Sequence, residues 1–150
     1  MRQLTKAFLT AACSWMLHPG ALAQSVKQID ALQFGDLQVL AEQGNMIARF
    51  ELGTRYENGE GVPENDVEAV RWYRKAADQG YAAAQGSLGR MFGVGAGMPK
   101  SNIEAYKWFS LAAAQGNAGA RTNKEIVARA MTPDQIAEAE QLAAQWRSNQ

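Results

Sequence analysis

A repeat of 36 residues constrains the fold of this chain more than any other feature of its sequence. Residues 48–80 align with residues 84–116 without a gap, and 13 of these 33 positions are identical. The segment Ala41–Gly44 (AEQG) matches Ala77–Gly80 (ADQG) at the same spacing, so part of another unit precedes the first complete one. Periods of this length are typical of solenoids, in which each unit buries its apolar face against its neighbours.

Each unit is predicted to be a pair of antiparallel helices. In the first helix, helix A, Ala48, Leu52 and Tyr56 recur every four residues and form one apolar face. Gly53 and Gly89 follow the leucine in the two units, although a glycine inside a helix costs about 1 kcal/mol relative to alanine. We therefore expect another helix to cross closely there. The second helix, helix B, combines small and large side chains, which suits interlocking packing: Val67, Val70, Trp72, Tyr73, Ala76 and Ala77.

Caps and turns at the helix ends support this division. Asn65 and Ser101 each precede a glutamate by three residues, Glu68 and Glu104, which is the pattern of an N-cap and its reciprocal partner. Glycines are predicted to close helix B in a left-handed conformation and to form the turn between helices A and B. These are Gly44, Gly80 and Gly116 for the first role, and Gly59, Gly61, Gly95 and Gly97 for the second.

The pattern predicts an all-α chain, because no segment shows sustained alternation of apolar and polar residues. It divides the chain into a half unit, two complete units and a C-terminal cap, over residues 26–47, 48–83, 84–119 and 120–150. The half unit is predicted to contain helices from Val26 to Phe34 and from Asp36 to Gln43. The cap is predicted to contain a helix from Ala118 to Ala130 and a last helix from Pro133 to about Arg147, following an N-cap at Thr132.

The repeated residues resemble the Sel1-like repeat, which has a 36-residue period and is a relative of the tetratricopeptide repeat. The first complete unit matches the family pattern at Ala48, Leu52, Gly53, Tyr56, Gly59, Gly61, Val62, Asp66, Ala69, Trp72, Tyr73, Ala76, Ala77 and Gly80. This resemblance implies an α/α superhelix of helical hairpins whose concave, helix-A side holds another protein or peptide. The function it implies is that of a scaffold or adaptor.

The first 23 residues are predicted to be a secretory signal peptide. Arg2 and Lys6 provide a positive start, residues 7–17 form an apolar run, and Ala21–Ala23 has the form of a cleavage motif. The run is shorter than the roughly 20 apolar residues that a membrane-spanning helix needs. We expect cleavage after Ala23, a periplasmic or secreted mature protein and no membrane span in it. The alternative is that the segment is retained as an anchor.

Cleavage would change the chemistry available to the chain. Cys13 and His18 are the only cysteine and histidine, and both lie in the predicted leader. Without them, serine or cysteine catalysis with a histidine base and zinc sites with cysteine or histidine ligands are excluded. The remaining 13 basic and 15 acidic side chains form no basic stripe for nucleic acid. We therefore expect no catalytic residue, no metal and no cofactor.

The resemblance also leaves an enzymatic alternative open. One branch of the family, the cysteine-rich Sel1-like proteins, is linked with β-lactam binding and hydrolysis. By resemblance, this chain could be an envelope hydrolase that acts on β-lactams or peptidoglycan fragments. That branch carries a cysteine pair in each repeat, whereas this chain has no cysteine beyond the predicted leader.

Two other patterns suggest ligands but are better explained as turns. Residues 93–97 (GVGAG) resemble a phosphate loop, yet they follow a predicted helix, whereas a nucleotide loop follows a strand. The segment 57–66 (ENGEGVPEND) is rich in acidic residues but lacks the ligand spacing of a calcium loop.

The remaining candidate site is the side of helix A opposite Ala48, Leu52 and Tyr56. An apolar side chain beside charged ones is typical of a groove that binds a partner. We expect this side to bind a protein or peptide, or a peptidoglycan fragment. Its candidate residues are Phe50, Glu51, Thr54, Arg55, Ser87, Arg90 and Met91.

Overall fold

The computed structural model describes Ser25, Gln28, Ile29 and residues 32–150. Residues 32–150 contain seven α-helices, and no described residue is in a strand, so the predicted all-α solenoid is confirmed. The helices are α1 (Phe34–Glu42), α2 (Met46–Asn58), α3 (Asp66–Asp78), α4 (Ala82–Val94), α5 (Asn102–Ala114), α6 (Ala118–Ala128) and α7 (Pro133–Ser148). None of them is both long and apolar enough to cross a membrane. The predicted signal peptide lies outside the described residues.

The half unit agrees with its prediction at Gln28 and Ile29, which are helical, but the boundary between its two helices differs. Most of the predicted helix from Val26 to Phe34 lies outside the described residues. Phe34 belongs to the following helix, because α1 starts there, after the extended backbone of its N-cap Gln33. Gly35 has no positive φ and is part of that first turn. Glycine here is therefore compatible with the helix and does not separate two helices.

The helices pack as consecutive antiparallel pairs. Helices α2 and α4 are the A helices of the complete units, and α3 and α5 are their B helices. A Cβ atom built on Gly53 would lie 2.7 Å from Cδ1 of Tyr73, and one on Gly89 would lie 2.8 Å from Cδ1 of Phe109. Since real Cβ atoms do not approach other atoms this closely, only glycine fits without a shift. The predicted close crossing is confirmed in both units.

The predicted caps are formed, but the reciprocal bonds differ from the prediction. Oδ1 of Asn65 accepts a hydrogen bond from the backbone N–H of Glu68, and Oγ of Ser101 accepts one from Glu104. The Glu104 carboxylate does not return to the N-cap. Its Oε2 accepts from the indole Nε1 of Trp108 instead, at 3.1 Å. A buried indole N–H needs an acceptor, which explains why the glutamate turns to it.

The left-handed turns lie where they were predicted. Gly44, Gly80 and Gly116 have φ values of 97°, 86° and 91°, and each follows the C-cap of a B helix. Within each complete unit, two further glycines with positive φ turn the chain from helix A to helix B: Gly59, Gly61, Gly95 and Gly97. One residue of the predicted apolar face of helix B departs from it, because Val67 is largely exposed. It precedes Ala69 by two residues and therefore points to the other side of α3.

The C-terminal helices end the stack in two ways. Helix α6 continues the repeat as another A helix, but Glu125 stands at the position of Gly53 and Gly89 and is exposed. The position that a B helix would contact most closely is therefore charged, in keeping with the polar outer face of terminal units in other solenoids. Helix α7 packs against α5, where the ring of Trp146 meets that of Trp108 edge-on with centroids 6.2 Å apart.

Candidate functional site

The candidate site is the partly exposed side of the A helices that the hydroxyl of Tyr73 reaches from the B helix α3. We call it the helix-A face. It is built from one side of α2, one side of α4 and the corresponding position of α6. Its residues are Phe50, Thr54, Glu57, Gly86, Ser87, Arg90, Val94 and Ile126.

A polar network lies at the centre of this face and joins the two complete units. The hydroxyl of Tyr73, which is buried in α3, donates a hydrogen bond to Oε2 of Glu57 over 2.7 Å. The other oxygen of that carboxylate, Oε1, accepts from Nη2 of Arg90 on α4. The hydroxyl oxygen of Thr54 lies 3.2 Å from the Tyr73 hydroxyl. A chain of contacts thus runs from the core to a guanidinium on the surface.

The environment of this network keeps the Tyr73 hydroxyl neutral and leaves the positive charge of Arg90 more exposed than the negative charge of Glu57. Burial, and after it the hydrogen bond to Glu57, raises the pKa of Tyr73 well above its ordinary value of 10. The side chain of Arg90 is 45% exposed, whereas that of Glu57 is 21% exposed. Because both carboxylate oxygens already accept hydrogen bonds, the charge that this pair presents to solvent is mainly the positive one.

The structure brings Thr54 and Arg90 together as predicted members of one face, but Glu57 and Tyr73 were not among the candidates. The sequence pattern predicts Glu57 in an acidic turn and Tyr73 in the core. A signal for them exists in the sequence. The three positions that build the network are among those where the units differ: Thr54 against Arg90, Glu57 against Gly93, and Tyr73 against Phe109.

The other candidates on α2 are recessed. The ring of Phe50 lies 5.5 Å from that of Tyr73 and 5.3 Å from that of Tyr81, between centroids, so much of it is buried. Nε of Arg55 pairs with Oε1 of Glu51 over 3.1 Å, and both side chains are largely buried. These residues therefore shape the edge of the face more than they project from it.

Met91 does not lie on the helix-A face, and its predicted surface position is wrong. Its side chain is fully buried in the core. It follows Leu88 by three residues and Ala84 by seven, so it lies on the same buried side of α4 as they do. Ser87 is half-buried at the edge of the face.

Two exposed apolar side chains flank Arg90. Val94 lies one turn further along α4 and is 66% exposed, and Ile126 on α6 is 55% exposed. At the 36-residue spacing, Ile126 occupies in α6 the position that Arg90 occupies in α4. Because α4 and α6 are in contact, the face carries one exposed apolar group on the helix of Arg90 and another on a neighbouring helix. We call Val94 and Ile126 the apolar pair.

Comparison with known proteins identifies the repeat. The sequence pattern of the Sel1 repeat matches residues 47–81 and 82–117. A Sel1 repeat protein from Oxalobacter formigenes has a similar structure, with a TM-score of 0.59 and 37% sequence identity over 60% of this chain and 68% of the other. The chain belongs to the Sel1 repeat family. The matched Sel1 units begin one and two residues before the units inferred from the internal repeat.

A second solved structure has the same fold. It is a protective antigen present in uropathogenic Escherichia coli strains and displays an SLR fold. The TM-score is 0.74 and the identity is 32%, over 75% of this chain but only 24% of the antigen. This chain therefore spans about a quarter of that antigen's length. No curated protein matches the chain significantly.

Membership of the family defines the general role of the fold. A Sel1 repeat protein is a helical repeat scaffold, typically non-catalytic, that mediates interactions with other proteins. Within the described part of the chain, no group of three or more histidine, cysteine, aspartate or glutamate side chains is arranged to hold a metal ion.

Proposed function

We propose that this Sel1 repeat protein is an exported adaptor of the cell envelope that holds a peptide segment of another protein against its helix-A face. The observation that carries this proposal is the network from Tyr73 through Glu57 to Arg90. It fixes a half-exposed cation on a face that is otherwise lined by small and apolar groups. A rigidly held charge beside apolar surface is what a binding site for a peptide requires.

The form of the face agrees with this role. Gly86 lies half-buried in the middle of α4, and a Cβ atom built on it would meet only Nδ2 of Asn117, at 3.5 Å. Apart from its neighbours in α4, no other atom of the described residues lies within 4 Å of that Cβ position, so the backbone of a bound peptide can approach α4 there. Side chains of the peptide would then reach Arg90 and the apolar pair.

A blocking variant tests the use of this face. Gly86→Leu extends a side chain over the face, and the ordinary contact distance at its Cβ position predicts that the fold accepts it. Random dodecapeptides are selected by display on the full chain, and the binding of the enriched peptides is measured by fluorescence anisotropy. We expect Gly86→Leu to weaken that binding at least tenfold.

The matched control is Arg71→Leu, which introduces the same side chain on the B helix α3. Arg71 is exposed and makes only a local ion pair with Glu68 over 3.5 Å. We expect this variant to bind the selected peptides like the unchanged protein. Equal losses in the two variants, or unchanged binding in both, would contradict a site on the helix-A face.

Export is the second part of the proposal and has its own test. It is supported by the sequence of the first 23 residues, with basic Arg2 and Lys6, an apolar run and the Ala21–Ala23 motif. The full chain is expressed in a Gram-negative bacterium and the cells are fractionated. We expect the protein in the periplasm or medium, with Gln24 as its first residue by N-terminal sequencing. A cytoplasmic protein beginning at Met1 would contradict the proposed export while leaving peptide binding untouched.

A further inference from the structure

We infer that the helix-A face is selective for an extended peptide that carries a carboxylate side chain two or three residues from an apolar side chain. The carboxylate pairs with Arg90, and the apolar side chain covers Val94 and Ile126. This inference rests on the proposed adaptor function and adds the chemistry of the bound segment.

The first argument is that the network breaks the repeat. The two units share the glycines of the turns and, in the core, the leucine-glycine pair and the tryptophan, but Arg90, Glu57 and Tyr73 have Thr54, Gly93 and Phe109 as their counterparts. Three separate departures therefore combine into one hydrogen-bonded chain across α2, α3 and α4. Departures from the rules that govern the rest of a fold are expected at functional sites.

The second argument is that the guanidinium still has donors to offer. Nη2 of Arg90 donates to Glu57, and an arginine carries five N–H groups in total. Glu57 is recessed, and its second oxygen already accepts from Tyr73. A further carboxylate can thus bind the exposed edge of the guanidinium with charge-assisted, bidentate hydrogen bonds.

The third argument is charge complementarity. The helix-A side of α2 and α4 carries two ion pairs, and the Glu51–Arg55 pair is recessed on both sides. Of the four side chains in these two pairs, that of Arg90 therefore has the largest exposed fraction. An acidic side chain is attracted to this position, whereas a basic one is repelled.

The spacing of the two subsites sets the spacing within the peptide. Arg90 and Ile126 occupy equivalent positions on α4 and α6, which are in contact. Axes of packed helices lie about 8–10 Å apart. Because an extended chain rises about 3.3 Å per residue, a carboxylate and an apolar side chain two or three residues apart span this distance.

The test uses synthetic peptides of defined composition on the full chain. Fluorescein-labelled nonapeptides of alanine and serine contain one aspartate and one leucine, separated by one to five positions, and each has a partner with asparagine in place of aspartate. Binding is measured by fluorescence anisotropy in 50 and 300 mM NaCl. We expect the aspartate peptides with spacing of two or three to bind at least tenfold tighter than their asparagine partners. Salt should reduce that ratio, since the pair is partly exposed.

Variants distinguish recognition from a purely structural ion pair. Arg90→Gln should remove the preference for aspartate, whereas Glu57→Gln should keep it, because the guanidinium remains. If the pair served only to join α2 and α4, the two variants would behave alike. The control Arg71→Gln, on α3, should keep the full preference. Circular dichroism of each variant verifies that the helices are retained.

The outcomes separate this inference from the function on which it rests. Suppose that aspartate and asparagine peptides bind equally, while Gly86→Leu still weakens the binding of the display-selected peptides. This result would overturn the carboxylate preference and leave the adaptor function standing. A preference for aspartate that survives in Arg90→Gln would also overturn it. If no peptide binds and Gly86→Leu changes nothing, the adaptor function itself fails.

Discussion

The side-chain amide of Gln115 donates a hydrogen bond to the carbonyl oxygen of Gly80, 2.9 Å away and one unit earlier in the chain. Gln79 makes the same bond to Gly44, over 2.8 Å. Each glutamine follows the last residue of a B helix and joins it to the turn that ends the preceding B helix. These hydrogen bonds from glutamine side chains to backbone carbonyls therefore hold the units in register, together with apolar packing.

The two glutamines differ in their second hydrogen-bond partner, and this difference gives a prediction. Nε2 of Gln115 also donates to Oε1 of Gln85, which is fully buried, whereas Oε1 of Gln79 accepts from the half-buried Arg49. Gln115→Ala leaves a buried amide oxygen without a partner and should lower the free energy of unfolding by about 1–3 kcal/mol. Gln79→Ala should lower it by less than about 1 kcal/mol. Urea denaturation measures both.

A double variant provides the control for this prediction. Replacing Gln85 by leucine removes the buried polar group, so Gln85→Leu combined with Gln115→Ala should be more stable than Gln115→Ala alone. The opposite order would show that the cost of Gln115→Ala comes from the lost bond to Gly80.

Glycines inside the A helices should respond to alanine with opposite signs. At Gly53 and Gly89 the new methyl group would press on the ring of Tyr73 or Phe109 at less than 3 Å, so we expect a loss of about 1–3 kcal/mol. At Gly86 the new methyl group would meet Nδ2 of Asn117 at an ordinary contact distance of 3.5 Å, and the better helix propensity of alanine should stabilise the fold by about 0.5–1 kcal/mol. Thermal unfolding of the three single variants checks the signs, and a stabilised Gly53→Ala would contradict the close crossing.

Tyr73→Phe isolates the polar network from the packing of the ring. Phe109 fills the equivalent position, so a phenyl ring fits this site, but Glu57 loses the hydroxyl donor. We expect a loss of about 1–2 kcal/mol in the free energy of unfolding at pH 8. A change near zero in urea denaturation would mean that the Tyr73–Glu57 bond adds nothing to stability.

The same variant predicts a dependence on alkaline pH. Burial, and after it the hydrogen bond to Glu57, raises the pKa of Tyr73 above its unfolded value of about 10. The stabilising contribution is complete below pH 10 and is lost as the pH rises above it, because the unfolded chain then releases the proton more readily. Stability measured between pH 8 and 11.5 should therefore fall less steeply in Tyr73→Phe. Some decline remains, since burial, together with Glu140, also raises the pKa of Tyr106.

The two tryptophans of the B helices should each be essential to the core. Trp72 and Trp108 are almost fully buried, and each alanine variant leaves a large cavity. We expect a loss of about 3–5 kcal/mol for Trp72→Ala and for Trp108→Ala. Trp146→Ala, at a half-buried ring, should cost less. A loss below 1 kcal/mol at Trp108, measured by chemical denaturation, would place that ring outside the core.

The sequence was sufficient to predict the parts of the fold whose local signals occur in both repeat units. The glycines at 53 and 89, the caps at Asn65 and Ser101, and the left-handed turns recur at one spacing, so each pair of positions confirms a single physical requirement. The packing of α7 on α5 has no such repetition. It depends on which surface is left free after the other helices have assembled, and no local pattern encodes that.

Met91 shows why part of the candidate site could not be predicted. Its counterpart in the first unit is Arg55, and a charged residue at a repeated position suggests a surface. In the structure both positions are recessed: Arg55 is largely buried in its pair with Glu51, and Met91 is fully buried. An ion pair and an apolar side chain are two ways to fill the same space, and a comparison of the units by polarity alone does not reveal this.

The network of Tyr73, Glu57 and Arg90 was missed for a related reason. Its members lie on three helices, and their contacts follow from the crossing of α3 over α2 and from the stacking of α4. A search for repeated residues discards the positions that vary.

The exposed Glu125 on α6 has a consequence for how such an array can grow. A further helix pair placed beyond α6 would meet a carboxylate where α2 and α4 offer glycine, and its aromatic ring could not approach. A duplicated unit inserted between α5 and α6 would instead find compatible surfaces on both sides. Lengthening this solenoid by internal duplication thus preserves its end, whereas extension past α6 requires that end to be rebuilt.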